Sequence, residues 1–258
     1  MEKYSHSYSI TAKDMDNFYR LTPLAILTYF EDCFARYMAC LNLAAFDLIK
    51  QNKLWIITEF SADFTENTAY WSENITIEMW ISQISPLRIY SDFVALKNDV
   101  IIAKGTSSWS ILNSETRKLE KTDFLINKIN IVQDFSTPHS KHRVPSFSDE
   151  ISVVNHIVNL LDLDFNNHVN NVSYLSIALL TTTENFLTYN KLKHLYVNWL
   201  HETYIKDNIR CALTCENIEN GQFVHILTNN NKDIVAKIYT EWDKTSHPKD
   251  VATFLKRG

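Results

Sequence analysis

Asp162-Leu163-Asp164-Phe165-Asn166-Asn167-His168-Val169-Asn170-Asn171, followed by Tyr174, is the stretch whose reading decides the fold. Residues 151–159 before it read as a strand, and residues 170–189 after it are apolar at helical spacing. Strand-like runs then follow at 195–204, 208–216, 222–229 and 234–242, with Asn220-Gly221 as a hairpin turn. The same order stands 148 positions earlier, where Asp14-Met15-Asp16 echoes Asp162-Leu163-Asp164. A short alternating run over 7–14 leads into Thr22-Pro23, a helix cap with proline at the first helical position. Leu24, Leu27, Phe30, Phe34, Tyr37, Met38 and Leu41 then line one broad face of a helix that Asn42 ends, and a shorter helical piece spans 44–51. Strands are predicted at 54–64, 74–82, 88–97 and 100–112. A helix apolar over so wide an arc needs wrapping by a sheet. Two copies of strand, helix and antiparallel meander imply a duplicated α+β unit.

Between the copies, two prolines, several serines and few large apolar residues after Phe135 predict a linker. The expected organisation is a first unit over 1–119, a linker over 120–149 and a second unit over 150–258.

The totals narrow the function. The 258 residues, 45% hydrophobic and 12% aromatic, suit a folded chain with a real core. A net charge of −5 disfavours nucleic acid as a partner, and no run of about 20 apolar residues is available to span a membrane. Met1 to His6 lack the apolar core of a signal peptide, so a cytoplasmic location is expected. Cys33 and Cys40, seven apart, and Cys211 and Cys215, four apart, match no zinc pattern, and all four are expected to be buried. The histidines of His139-Ser140-Lys141-His142 are too closely spaced for zinc, and three glycines leave no phosphate loop. No metal or cofactor is expected.

What remains is the quoted stretch. A carboxylate, an amide and an imidazole gather at a helix entrance, where free backbone N–H groups and a partial positive charge favour an oxyanion. The plainer account is a capped helix, since Asn and Asp are preferred cap and turn residues.

The motif Asp164-x-Asn166-x-His168-Val169-Asn170-Asn171-x-x-Tyr174 resembles the active-site motif of the acyl-ACP thioesterases, both plant enzymes and bacterial relatives. Leu54-Trp55-Ile56-Ile57-Thr58, Ile77-Glu78-Met79-Trp80-Ile81, Arg88 to Phe93 and Ser107 to Leu119 resemble successive segments of that family in its N-terminal half. The resemblance covers about residues 7–120 and 150–243. It implies a tandem, or double, hot-dog fold, each unit a long helix wrapped by an antiparallel sheet. It also implies a catalytic Glu on the strand after the second helix, which places Glu202 in the site 34 positions beyond His168. Where plant members carry Cys beside that Glu, this chain has Thr203, a poor nucleophile without an adjacent base.

The resemblance thus implies thioester hydrolysis of fatty acyl-ACP without a covalent intermediate. Water activation falls to Glu202 and His168, carbonyl polarisation to Asn166 and orientation of His168 or Asn166 to Asp164. The first copy, with Asn17-Phe18-Tyr19-Arg20 after Asp16, lacks the Asn-x-His and is expected to be non-catalytic, contributing the acyl pocket. The implied partner is acyl carrier protein, an acidic protein for which Arg117, Lys118, Lys121, Lys141, Arg143, Lys191 and Lys193 are candidate contacts. An acyl-CoA hydrolase, a hot-dog dehydratase and a non-catalytic acyl-thioester binder stay open as alternatives. A homodimer is compatible with this organisation.

Overall fold

The computed structural model describes residues 3–17, 19–137, 144–146, 149–215 and 218–245. They divide into two units, one over residues 3–16 and 20–137, the other over residues 17 and 19 and the described residues from 144 to 245. His139, Lys141, His142 and Arg143, named above, lie outside the described residues.

In the first unit, β1 (Tyr4–Ser9) precedes the long helix α1 (Pro23–Cys40), a short α2 (Ala45–Leu48) and the strands β2 (Lys53–Phe64), β3 (Asn74–Ile84), β4 (Ile89–Lys97) and β5 (Val100–Asn113). These lie in the order β1-β3-β4-β5-β2, antiparallel throughout, and β6 (Leu119–Glu120) adds to β5. The α1 entrance forms as its sequence dictates. Thr22 Oγ1 accepts from the Ala25 N–H at 3.2 Å, with Pro23 following. At the other end Asn42 takes a left-handed φ of 56°, tolerable for Asn, and the helix stops.

The apolar stripe of α1 buries Phe30, Cys33, Phe34 and Met38. Phe30 stacks on Phe93 at 4.9 Å, and Phe34 lies flat on Trp109 at 4.0 Å. Gly105 lets them meet, since a Cβ there would stand 3.0 Å from the Phe30 ring. Aromatic stacking thus ties the helix to the sheet.

The segment read as a linker is fastened to this unit as far as Thr137. Leu125 and Ile129 are buried, and Ile131 bridges to Ile81. Ser136 donates from both its N–H (2.9 Å) and its hydroxyl (2.8 Å) to buried Asp92, which also accepts from Thr106 at 2.7 Å. A carboxylate taken out of water needs such donors, and Ser136, in the segment that looked like a linker, supplies two of the three.

The second unit repeats the plan. β7 (Glu150–Ile157) precedes α3 (Asn171–Leu179) and α4 (Glu184–Tyr189), and β8 (Asn190–Trp199), β9 (Asn208–Thr214), β10 (Gln222–Thr228) and β11 (Ile234–Lys244) follow. The order is β7-β9-β10-β11-β8, again antiparallel. The strand before the helix ends one side of the order and the strand after it ends the other, as in the first unit.

Two expectations need correction. The single helix over 170–189 is two, because Thr181-Thr182-Thr183 interrupts it. Thr181 turns its hydroxyl back to the Ala178 carbonyl (2.7 Å), and Thr183 caps α4 by accepting from the Phe186 N–H (3.2 Å). Cys40, at the end of α1, is exposed, whereas Cys33, Cys211 and Cys215 are buried. Burial pushes the Cys33 and Cys211 thiols up to about 12, which removes them as nucleophiles.

Candidate active site

The stretch from Asp162 to Asn170 is a closed loop. Leu163 and Val169 form an antiparallel bridge, and the Asp164 N–H donates to the His168 carbonyl at 2.8 Å. The turn is tight enough to need a left-handed residue, which Asn167 provides at φ 63°. Inside it the Asp164 carboxylate collects three donors. These are the Asn166 N–H (2.8 Å), the His168 N–H (3.2 Å) and the Asn166 side-chain amide (3.4 Å). Asp164 therefore orients Asn166 and the loop backbone. Among the described residues it makes no bond to the His168 imidazole, so of the two tasks considered for it, only the one toward Asn166 matches the geometry. Asn170 caps α3, its side chain accepting from the Val172 N–H at 2.9 Å.

The N-terminal copy closes its loop with the same bridge and the same backbone and carboxylate bonds at the residue equivalent to His168. Met15 bridges Leu21, the Asp16 N–H donates to the Arg20 carbonyl (2.9 Å), and the Asp16 carboxylate accepts the Arg20 N–H (2.9 Å). Tyr19 holds the left-handed position at φ 60°, and Thr22, like Asn170, caps the following helix. His168 thus corresponds to Arg20, whose Nε is paired with Asp16 at 2.7 Å. A guanidinium stays protonated, so this copy has no base at that position.

Glu202 meets the loop from another part of the chain. The strand expected over 195–204 ends at Trp199. The Leu200 and His201 N–H groups both turn to the Val235 carbonyl, at 2.8 and 3.3 Å, and the chain leaves the ladder. Glu202 therefore sits in the loop after β8, not on the strand. Two bonds hold that loop to the motif. The Val169 N–H donates to the Thr203 carbonyl at 3.0 Å, and the Tyr174 and Thr203 hydroxyls bond at 2.7 Å. Both side chains are buried, and burial pushes the Tyr174 phenol up to about 12.

So held, Glu202 Oε1 stands 3.6 Å from His168 Nδ1, with the two side chains 28% and 21% exposed. That separation is slightly beyond a hydrogen bond but within ion-pair reach. Catalytic contacts of this kind commonly tighten when substrate binds. The other carboxylate oxygen, Oε2, accepts from the Tyr204 hydroxyl at 3.1 Å. Tyr204 also sets its ring edge-on to His168, centroids 5.1 Å apart at 81°. Sequence reading missed Tyr204. Its only signal was an aromatic two residues past the glutamate.

Two other histidines serve structure. His156 bonds Asp162 at 2.8 Å, and buried His225 bonds Thr181 at 3.0 Å. No group of three or more His, Cys, Asp or Glu suited to a metal occurs among the described residues. Among them, no helix is long and apolar enough to cross a membrane.

Comparison with known proteins gives concordant results. Residues 1–126 match the acyl-ACP thioesterase N-terminal domain model, and residues 147–244 match the C-terminal domain model. A chloroplastic acyl-[acyl-carrier-protein] hydrolase of Cuphea viscosissima is 23% identical over 220 residues, covering 80% of this chain and 51% of that protein. A chloroplastic oleoyl-acyl carrier protein thioesterase of Arabidopsis thaliana is 25% identical over 198 residues, covering 70% and 52%. The chain spans about half the length of these curated relatives. Among solved structures, a 12:0-ACP thioesterase from Umbellularia californica superposes with a TM-score of 0.84 at 15% identity, over 94% of this chain and 98% of that one. An acyl-ACP thioesterase from Bacteroides thetaiotaomicron gives 0.78 at 16% identity, over 93% and 98%. At these identities the structural likeness speaks to the fold, which is the double hot dog.

Proposed function

The chain belongs to the acyl-ACP thioesterase family, and from that premise we propose that it hydrolyses fatty acyl-ACP to free fatty acid and ACP by direct attack of water. The observation that carries this reading is Glu202 Oε1 at 3.6 Å from His168 Nδ1, beside an Asn166 that Asp164 holds in place. Water adds to the thioester carbonyl carbon while the Glu202–His168 pair takes its proton. The oxyanion that forms is met by an Asn166 amide N–H, since that nitrogen has two hydrogens and Asp164 engages one. Such a donor is typically worth about 3–4 kcal/mol in the transition state. Collapse breaks the C–S bond, and the departing thiolate takes the proton back. Thr203 offers no alternative nucleophile, because it is fully buried and its hydroxyl is engaged by Tyr174.

Acyl carrier protein as the partner, and the cytoplasm as the place of action, belong to the same proposal. Of the basic residues suggested as its contacts, Lys193 is paired with Asp243 at 3.4 Å and so is partly neutralised, while Arg117 lies in the turn between β5 and β6.

The test is thiol and free-acid release from matched acyl-ACP and acyl-CoA series of several chain lengths. Turnover is expected with acyl-ACP, and Glu202→Ala and His168→Ala should each lower kcat at least about 100-fold. Unchanged turnover in Glu202→Ala removes that residue from the mechanism. Acyl-CoA as the better substrate at every length replaces the carrier assignment.

A further inference from the structure

We infer that Tyr204 is a positioning residue for the carboxylate of Glu202; this rests on the reading of Glu202 and His168 as the water-activating pair. A glutamate that is 28% exposed, in a loop, has several rotamers open to it, and only some aim an oxygen at His168. The Tyr204 hydroxyl donates to Oε2 at 3.1 Å, which turns Oε1 toward His168 Nδ1. The same ring packs edge-on against the imidazole at 5.1 Å, so one side chain constrains both members of the pair.

Tyr204 can do this because its own backbone is fixed. Its N–H donates to the Asp207 carboxylate (2.9 Å), and its carbonyl accepts the Asp207 N–H (3.1 Å). The Lys206 N–H and Val158 carbonyl (2.9 Å), with the Val158 N–H and Asp207 carbonyl (2.9 Å), tie that turn to the segment after β7. A tyrosine 47% exposed contributes little to burial. Its ring and hydroxyl are directed to the site from a rigid turn, which is the arrangement that holds a reacting group to a narrow range of geometry.

The test is steady-state kinetics on the full chain with acyl-ACP, comparing wild type, Tyr204→Phe, Glu202→Gln and the double variant. Tyr204→Phe keeps the ring and loses only the hydroxyl. It should lower kcat about three- to tenfold, with KM within about twofold and the melting temperature unmoved. In the Glu202→Gln background the same change should cost less than about twofold, because the carboxylate it acts through is gone. Tyr204→Ala, which also removes the contact with His168, should fall below Tyr204→Phe. An unchanged kcat in Tyr204→Phe overturns the inference, as does an equal fold-loss in both backgrounds. Full activity of Glu202→Gln instead overturns the assignment of the water-activating pair.

Discussion

Tyr174→Phe and Thr203→Val should each destabilise the protein, and their combined loss should be less than additive. The Tyr174 and Thr203 hydroxyls meet at 2.7 Å with residue exposures of 3% and 0%, so neither has ready access to water. Removing one strands the other, and an unsatisfied buried hydroxyl costs about 1–3 kcal/mol. Thr203→Val is nearly isosteric and should cost a similar amount. With both hydroxyls gone neither strands the other, so the double variant should lose less than the two single losses combined, by about 1–2 kcal/mol. For a chain of this size each kcal/mol corresponds to about 2–4 °C in melting temperature. The assay is urea denaturation followed by circular dichroism, with thermal melts beside it. Additive losses, or single variants within about 0.5 kcal/mol of wild type, would refute the claim that this bond fastens the Glu202 loop to α3. The phenol, pushed up to about 12 by burial, stays protonated at neutral pH, so the effect should not vary between pH 6 and 9.

Three further outcomes are expected. His225 is buried with its pKa pushed down from 6.5 to about 3, so between those values only the unfolded chain takes up the proton. Its contribution to stability is complete above pH 6.5 and is lost as pH falls toward 3, at up to about 1.4 kcal/mol per pH unit; His225→Gln should flatten the urea midpoint over that window. Gly221 holds φ +64°, and a Cβ there would stand 2.5 Å from the Trp242 carbonyl oxygen, so Gly221→Ala should cost about 1–3 kcal/mol by denaturant titration. Of the four cysteines only Cys40 is exposed, so a thiol reagent should label one site quickly in the native protein and the rest only after unfolding; fast labelling that survives Cys40→Ser would contradict the burial of the others.

The amino-acid sequence by itself determined the elements and their repetition. Thr22-Pro23 had to start a helix, Asn42 had to end it, and alternation from Asn74 to Ile81 had to make a strand, because caps, left-handed residues and two-residue periodicity act over a few positions. The repeat at 148 residues was legible for the same reason, down to Asp14 and Asp162 with the same cap-to-loop spacing. Local rules failed where a long-range bond competed with them. The apolar run after Asn170 looked like one helix until Thr181 found His225 on β10, and Ser136 looked like part of a linker until Asp92 needed its donors.

The candidate site divides along the same line. Asp164, Asn166 and His168 share one loop, so their association was visible as a motif. The 3.6 Å between His168 and Glu202, and the hydroxyl of Tyr204 on the far oxygen, come from where β8 leaves its sheet and which loop carbonyl Val169 reaches. Those are properties of a folded sheet packed against a helix, and no spacing within the chain encodes them. Residues 34 positions apart approach only after the tertiary contacts between them have formed.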